Sequence, residues 1–417
     1  MKLKVKKSIE TYYYIIFLSL FICGNVIRRS FFSGFFGTGN LIYYLLLFIL
    51  IVKSVKLKKI NLKGISSVLF IGLLLIYVDF ESGSSINSIV TSVVYLILPL
   101  FLMDINIIAQ EKKSEFIHCI LSILNFFVIL NVCIMFVDQI SGCFITKSMS
   151  NVFHGIKGYL PNSFEFLKFR SVTYLGHELY ITHLILMFYM MNMLYYKFYN
   201  RYLIKVPVIY IITVFGILFT QSKLGVILMF MAIFYFNFNF NRKNRIINII
   251  LLLLGIGCLY YIGFFDMIIY RFQNTSFDTG RTTWLNYLRN NYGLKIQLLG
   301  GYGENLNTYF QSKLLSKHPL SWTKMIITAA FESPVLLMAY RYGILLSIAW
   351  LSKIYLTILI PILKSKCFSL FVVFTLLFIH NMSFNQLVYN NDLLICVLIR
   401  NIVFLCFVEE WNSRKVA

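Results

Sequence analysis

Long runs of apolar residues recur along the whole chain, and short polar or basic stretches separate them. The runs are continuous rather than alternating, which is typical of membrane-crossing helices and not of barrel strands. They predict transmembrane helices at residues 12–27, 35–52, 65–80, 87–107, 116–138, 173–196, 206–221, 224–240, 246–265, 335–352, 368–386 and 391–408. The predicted fold class is therefore all-α, a polytopic integral membrane protein of about twelve transmembrane helices.

Composition supports this class. Of the 417 residues, 59% are hydrophobic and only 13% are charged, whereas an ordinary soluble domain has about 25% charged residues. Such a chain cannot surround a core with a water-soluble surface, which excludes a soluble enzyme, a disordered protein and a coiled coil. The eight cysteines follow neither a disulfide nor a metal-binding spacing, so the sequence predicts no metal and no other cofactor. Residues 1–417 are expected to form a single transmembrane domain.

The net charge of +22 would suggest nucleic acid binding in a soluble protein. In a membrane protein, Lys and Arg accumulate in short cytoplasmic loops, so nucleic acid is not a predicted partner. With the N-terminus in the cytoplasm, the inner loops and tails contain 22 Lys and Arg, and the short outer loops contain three. This bias predicts a multi-pass plasma-membrane protein with both termini cytoplasmic.

The same topology places two longer segments outside, residues 139–172 and a large loop, 266–334, that precedes the tenth span. The large loop contains seven Lys and Arg against four Asp and Glu. Positive charge on the outer side runs against the usual bias, so it predicts an anionic ligand. The arginines of this loop, Arg271, Arg281 and Arg289, are the candidate residues for that contact.

Within this loop, DTGRTTWLNYLRNNYG (278–293) predicts a short helix. Trp284 and Leu288 belong to an apolar stripe that is expected to lie on the membrane surface. Arg281 begins the helix, where a positive charge opposes the helix dipole. This unfavourable position is explained if Arg281 binds an anion, although a snorkelling arginine would also fit.

A glycine-dense segment, GGYG, follows this helix with Gly300, Gly301 and Gly303. It is not a phosphate-binding P-loop, because no Gly-Lys-Ser/Thr follows it. It predicts a tight turn or a close approach of two backbones, and a positioning role in the loop.

Polar groups also lie at the outer end of the sixth predicted span, FRSVTYLGHELYITH (169–183). Arg170 precedes this span, and His177 and Glu178 would lie close to the membrane surface. Histidine and glutamate near membrane depth usually face a cavity or a partner. Simple solvation at the interface is the alternative interpretation.

The segment that enters the tenth span places Glu332 just before Pro334, which is expected to begin a helix. The carboxylate of Glu332 can cap that helix or act as a general base at the membrane surface. His318, in the same loop, is a second candidate base. Arg341, further along, is consistent with a side chain that snorkels to the interface.

Three segments together resemble the Wzy-type polysaccharide polymerase and O-antigen ligase group of bacterial envelope proteins. TGRTTW (279–284), followed by LLGGYG (298–303), is similar to the Gly-Arg-x-x-x-Trp and Gly-x-Gly arrangement of the group. RSVTYLGHELY (170–180) resembles an Arg-led segment that opens an earlier span. FESPVLLMAYRYGILL (331–346) resembles the segment that opens the span after the large outer loop.

The resemblance implies a metal-independent polymerase that joins undecaprenyl-pyrophosphate-linked oligosaccharide repeat units into an O-antigen, capsular or exopolysaccharide chain. Such an enzyme aligns two substrates, accepts a proton and neutralises the charge that grows on the leaving pyrophosphate. Arg281 and Arg170, with Arg271 and Arg289, would bind the pyrophosphates. The implied partners are the lipid-linked oligosaccharides, the lipid bilayer, a chain-length regulator and a flippase.

The chain departs from the ligases of this group in one place. Those ligases carry a His-Asn pair about a dozen residues before the glycine of the post-loop span. Counting back from Gly343 reaches Phe331 and Glu332 instead. This difference favours a polymerase and makes Glu332 the first candidate for the proton acceptor, ahead of His318 and His177.

Two other functions stay open. A flippase for lipid-linked oligosaccharides, or another transporter, would use polar groups near mid-membrane on discontinuous helices, although no inverted repeat is visible. A polyprenyl-phosphate-sugar-dependent glycosyltransferase would use acidic residues in an early outer loop, where this chain has Asp79 and Glu81.

Overall fold

In a computed structural model, the described residues are 9–22, 41–56, 61–105, 112–152, 169–240, 281–389 and 391–416, with a few isolated positions between them. Regular secondary structure in these ranges is entirely helical, which confirms the predicted all-α class. The predicted ninth span, 246–265, falls almost wholly outside the described residues.

Up to residue 240, the described helices are numbered α1 to α9. Their bounds are Ile9–Ile22, Leu41–Lys56, Leu62–Glu81, Ile86–Ser92, Lys113–Ser141, Phe144–Val152, Glu178–Tyr199, Val206–Thr220 and Lys223–Phe240. Helix α4 continues through a wider π-helical turn, Val93–Ile97, and a tighter 3₁₀ segment, Leu98–Asp104.

From residue 281 onwards, the described helices are numbered α10 to α17. Their bounds are Arg281–Tyr292, Leu306–Leu315, Leu320–Ala330, Pro334–Tyr342, Ile344–Ser365, Phe368–Met382, Gln386–Tyr389 and Asn391–Val416. A 3₁₀ turn, Gly303–Asn305, precedes α11. Helix α10 is the short helix predicted within the large loop, and α11 and α12 are two further short helices of the same loop.

Five helical segments of the described chain are long and apolar enough to cross a membrane: α3, α4 with its extension to Asp104, α5, α7 and α14. Helices α1, α8, α9 and α15 are apolar but shorter. Their length and composition identify a membrane-embedded helical protein. The count of twelve spans and the orientation of the termini stay predictions.

Helices α7 and α17 form the centre of the bundle. Helix α7 packs against α5, α8, α9 and α15, and nearly all of its side chains are buried. In α17, which packs against α1, α5 and α14, all residues from 392 to 404 are buried. A helix that is buried all round belongs to the interior of a protein, and these two bring His183 and Arg400 into it.

The two ends of the bundle are defined by α5, whose 29 residues span about 43 Å. In its last turn, the side-chain Nε2 of Gln139 donates hydrogen bonds to the Phe169 carbonyl (3.2 Å) and to the Ser171 hydroxyl (2.9 Å). In its first turn, Lys113 forms an ion pair with Glu409 near the end of α17. The segment before α7 and the end of α17 therefore lie at opposite ends of the bundle.

Two differences from the predicted spans affect residues of the candidate site. The sixth span was expected to begin at residue 173, but α7 begins at Glu178 because His177 is extended (φ −154°, ψ 121°) and caps it. The tenth span was expected to be one helix from residue 335. Gly343 has a φ of +84° and divides it into α13 and α14, because a right-handed helix cannot continue through that conformation.

Candidate functional site

Four of the predicted site residues meet at the end of the bundle where α7 begins. Arg170 forms an ion pair with Glu178, in the first turn of α7. Arg281, the first residue of α10, forms an ion pair with Glu332, which precedes α13. Glu332 also acts electrostatically on Arg170 and His177. We call these four residues and Glu178 the arginine cluster. Its members are Arg170, His177, Glu178, Arg281 and Glu332.

The backbone around Arg170 holds this residue in place. Its Nε donates a hydrogen bond to the Thr220 carbonyl at the end of α8 (3.1 Å). The Ser171 amide donates to the Phe219 carbonyl (3.0 Å), and the Gln221 side chain donates to the carbonyl before Arg170 (3.1 Å). Arg170 is therefore anchored by the end of α8, whereas a snorkelling side chain would extend freely towards lipid headgroups.

His177 caps α7, and its Nδ1 accepts a hydrogen bond from the Leu179 amide (3.2 Å). Burial lowers the pKa of His177 below its ordinary value of 6.5, and nearby Arg170 lowers it further, while Glu178 and Glu332 oppose the change. The ring is therefore neutral at pH 7, and its hydrogen lies on Nε2 because Nδ1 is the acceptor. With this tautomer, His177 can donate a hydrogen bond from Nε2, and its role as a base stays a prediction.

Glu332 lies just before α13 and is partly exposed. As predicted, Pro334 is the first residue of α13, so the Glu332 carboxylate lies just outside a helix start. The Arg281 and Glu332 side chains are 26% and 27% exposed. A ligand can therefore reach both partners of this ion pair from outside the bundle.

The other basic candidates of the loop have different surroundings. The Nε2 of His318 shares a hydrogen bond with the Tyr287 hydroxyl of α10 (2.7 Å). Arg289 is exposed on the same helix, eight residues and about 12 Å beyond Arg281. Arg271 lies outside the described residues. Of the three loop arginines proposed from the sequence, the structure thus places Arg281 in the cluster.

Trp284 has an aromatic partner on α12, and its expected position on the membrane surface stays a prediction. Its ring meets Trp322 of α12 edge to face, with centroids 6.3 Å apart, and Leu288 is fully buried. The apolar stripe of α10 therefore packs on α12. This packing fixes the start of α10, where Arg281 lies.

The glycine-dense turn packs against the break between α13 and α14. A Cβ at Gly301 would lie 2.5 Å from the Tyr340 carbonyl oxygen and still closer to that of Arg341. The Tyr302 amide donates to the same Tyr340 carbonyl (3.0 Å). A Cβ at Gly343 would in turn meet the carbonyl of Gly300 at 2.6 Å. The predicted close approach of two backbones is confirmed.

Gly303 places the same turn against the end of α3. A Cβ at Gly303 would lie 2.6 Å from Oδ1 of Asp79, which is fully buried. This Oδ1 accepts a hydrogen bond from the Glu304 amide (2.8 Å), and Oδ2 accepts one from the Ser92 hydroxyl (2.5 Å). Oδ1 of Asp79 therefore holds the turn and Oδ2 holds the end of α4, which favours a structural role over acid catalysis.

Sequence reasoning missed a second charged group beside this turn. The Arg341 side chain is 3% exposed and forms an ion pair with Glu304 (2.5 Å), which also accepts a hydrogen bond from the Tyr342 hydroxyl (3.2 Å). The guanidinium lies 4.8 Å from the centre of the Tyr389 ring of α16. Arg341 therefore does not snorkel. Nothing in the sequence marks a pair whose members are 37 residues apart.

Gly301→Ala is expected to destabilise the protein by several kcal/mol, on the order of 3, because the new methyl group would clash with two carbonyl oxygens that cannot move independently. The amount of folded protein in membranes and its unfolding temperature in detergent measure this effect. Gly24→Ala is the matched control, since a Cβ there would make ordinary contacts at 3.4 and 3.6 Å. Equal stability of both variants would contradict the close approach.

Comparison with known proteins found no relative of this chain. No protein-family model, no curated protein and no solved structure matches this chain. Within the described ranges, no group of three or more His, Cys, Asp or Glu side chains is arranged to hold a metal ion. The structure itself therefore defines a helical, membrane-embedded protein with a charged cluster at one end. Membership of the polymerase and ligase group stays a prediction that rests on the sequence motifs.

Proposed function

We propose that this protein is a polymerase that joins lipid-pyrophosphate-linked oligosaccharide repeat units on the outer face of a bacterial plasma membrane. The arginine cluster is the observation that carries this proposal. TGRTTW contributes Arg281, RSVTYLGHELY contributes Arg170, and FESPVLLMAYRYGILL contributes Glu332. The three segments that separately resemble the polymerase group thus supply one cluster, which supports a shared site.

The proposed reaction forms one carbon–oxygen bond and breaks another. An acceptor sugar hydroxyl attacks the anomeric carbon of the donor, and the bond from that carbon to the lipid pyrophosphate breaks with its electron pair leaving on oxygen. Glu332 accepts the hydroxyl proton. Arg170 and Arg281 offset the negative charge that grows on the pyrophosphate, because a guanidinium offers two parallel N–H donors to phosphate oxygens.

Glu178 and Glu332 pair with the two guanidinium groups in the structure, so a pyrophosphate has to displace them. It can do so because it carries more negative charge than one carboxylate and offers more acceptor oxygens. Displacement also separates the Glu332 carboxylate from the Arg281 guanidinium. The carboxylate oxygens are then accessible to the acceptor hydroxyl, so donor binding would expose the proton acceptor.

Deletion of the protein from its host bacterium is expected to leave single repeat units on the lipid carrier, while longer glycan disappears. Mass spectrometry of the extracted lipid-linked sugars and gel electrophoresis of the glycan measure both changes. Wild-type protein supplied from a plasmid should restore the long glycan. Repeat units that stay on the inner leaflet would support the flippase alternative instead.

The proposed location requires both termini in the cytoplasm and residues 266–334 outside. A thiol reagent that does not cross membranes is expected to label Ser316→Cys in intact cells and to label Ser413→Cys only after lysis. Both serines are exposed, Ser316 after α11 and Ser413 near the end of α17. Wild-type protein measures labelling of the native cysteines. Labelling with the reverse preference would contradict the orientation.

A further inference from the structure

A second group of polar side chains lies in the core of the bundle. His183 of α7, His380 and Asn381 of α15, and Arg400 of α17 all have a relative exposure of 0%. The two imidazole rings stack with their centroids 5.5 Å apart. Arg400 lies within electrostatic range of His183. We call these four residues the core polar cluster.

Side chains of the described residues leave much of this cluster without hydrogen-bond partners. Both ring nitrogens of His183, both ring nitrogens of His380, Oδ1 of Asn381 and Nη1 of Arg400 are buried and make no hydrogen bond there. Buried polar atoms in native proteins nearly always have a partner, which can be protein, water or an ion. Six such atoms in one cluster therefore indicate a bound species between these helices.

The charge of Arg400 indicates which kind of species this is. Its Nε and Nη2 both donate to the side-chain oxygen of Asn401 (3.3 and 2.9 Å), and among the described residues it makes no ion pair. Asp392 is the carboxylate on the same helix, eight residues away, or about 12 Å along the axis. A full charge in a membrane-embedded core is costly without a counter-charge. Water would satisfy the hydrogen bonds but would leave the charge in place.

We propose that the core polar cluster binds a small monovalent anion, of which chloride is the abundant example. Arg400 supplies the positive charge and the free Nη1 donors, and each imidazole supplies at least one N–H donor. The anion is small because the cluster is fully enclosed. It is monovalent because Arg400 is the one permanent charge in the cluster.

This site lies next to the arginine cluster and is distinct from it. The ring of Phe384 stands between them, with its centroid 5.2 Å from that of His380 and 6.3 Å from that of His177. The Phe384 side chain thus separates a ligand in the core from the ion pairs at the end of the bundle. The anion proposal goes beyond the proposed polymerase activity and is tested without measuring it.

The first experiment measures the unfolding temperature of the purified full-length protein in detergent while sodium chloride replaces sodium gluconate at constant ionic strength. An increase of about 2 °C is expected when chloride reaches ten times its dissociation constant, and a further logarithmic increase above that concentration. Bromide should act in the same way, since it has the same charge and a similar size. An unfolding temperature that does not depend on which anion is present would overturn the proposal.

The second experiment locates the site. Arg400→Met removes the charge and should abolish the chloride response, whereas Arg414→Met, an exposed position on the same helix, should retain it. If Arg400→Met does not accumulate, His380→Leu keeps the charge and removes one donor. It should raise the dissociation constant for chloride, obtained from the dependence of the unfolding temperature on chloride, about fivefold, the effect of one lost hydrogen bond. A wild-type chloride response in whichever variant accumulates would overturn the assignment to this cluster.

Discussion

Arg281→Lys and Arg170→Lys are each expected to reduce polymer synthesis by about 10²–10³-fold, while the protein still inserts at a normal level. Lysine keeps the positive charge and can keep an ion pair with Glu332 or Glu178. It cannot offer a planar pair of N–H donors to a pyrophosphate, and at position 170 it also loses the Nε hydrogen bond to Thr220. Glycan length on gels measures activity, and immunoblots of membranes measure protein level.

The matched control for these variants is Arg414→Lys, at an exposed ion pair with Glu410 near the end of α17. It is expected to make glycan of wild-type length, because a surface ion pair contributes little to stability. If Arg281 and Arg170 only snorkel to anionic headgroups, lysine would serve as well at all three positions. Normal glycan from both cluster variants would therefore remove the pyrophosphate-binding role.

Glu332→Gln is expected to lower polymer synthesis by about 10²–10⁴-fold, the usual contribution of a positioned proton acceptor. Glutamine keeps the size of the side chain and an oxygen that accepts from Arg281, but it cannot take up a proton near neutral pH. The fold should be retained, since a partly exposed ion pair contributes only about 0–1 kcal/mol. Glycan length and unfolding temperature measure the two effects separately.

Glu178→Gln is the control that separates proton transfer from the pairing of an arginine. Glu178 pairs with Arg170 much as Glu332 pairs with Arg281, but the proposal gives it no proton to accept. Its loss is expected to change activity by about tenfold or less. Equal losses in the two variants would show that Glu332 positions Arg281 instead of acting as a base, and full activity of Glu332→Gln would exclude both roles.

The sequence by itself determined the helical class and the place of most helices. Continuous apolar runs decide this locally, because backbone groups in a membrane have to pair within their own helix. Turn residues add local information: Gly293 (φ +68°) follows α10, and Pro334 begins α13, both as predicted. Part of the candidate site was predictable for the same reason, since Arg281 and Glu332 lie at helix starts that short motifs mark.

Only the tertiary structure decided which of these groups meet. Arg281 and Glu332 are 51 residues apart, and Asp79 and the Glu304 amide are 225 residues apart. An apolar run predicts that a helix forms, but it does not show which face of that helix contacts the neighbouring helices. The burial of Arg341 and Arg400 was therefore not predictable. Charge pairing acts over a few ångströms of space rather than along the chain. The partner of each charge therefore depends on how the helices pack, and that is a property of the folded protein.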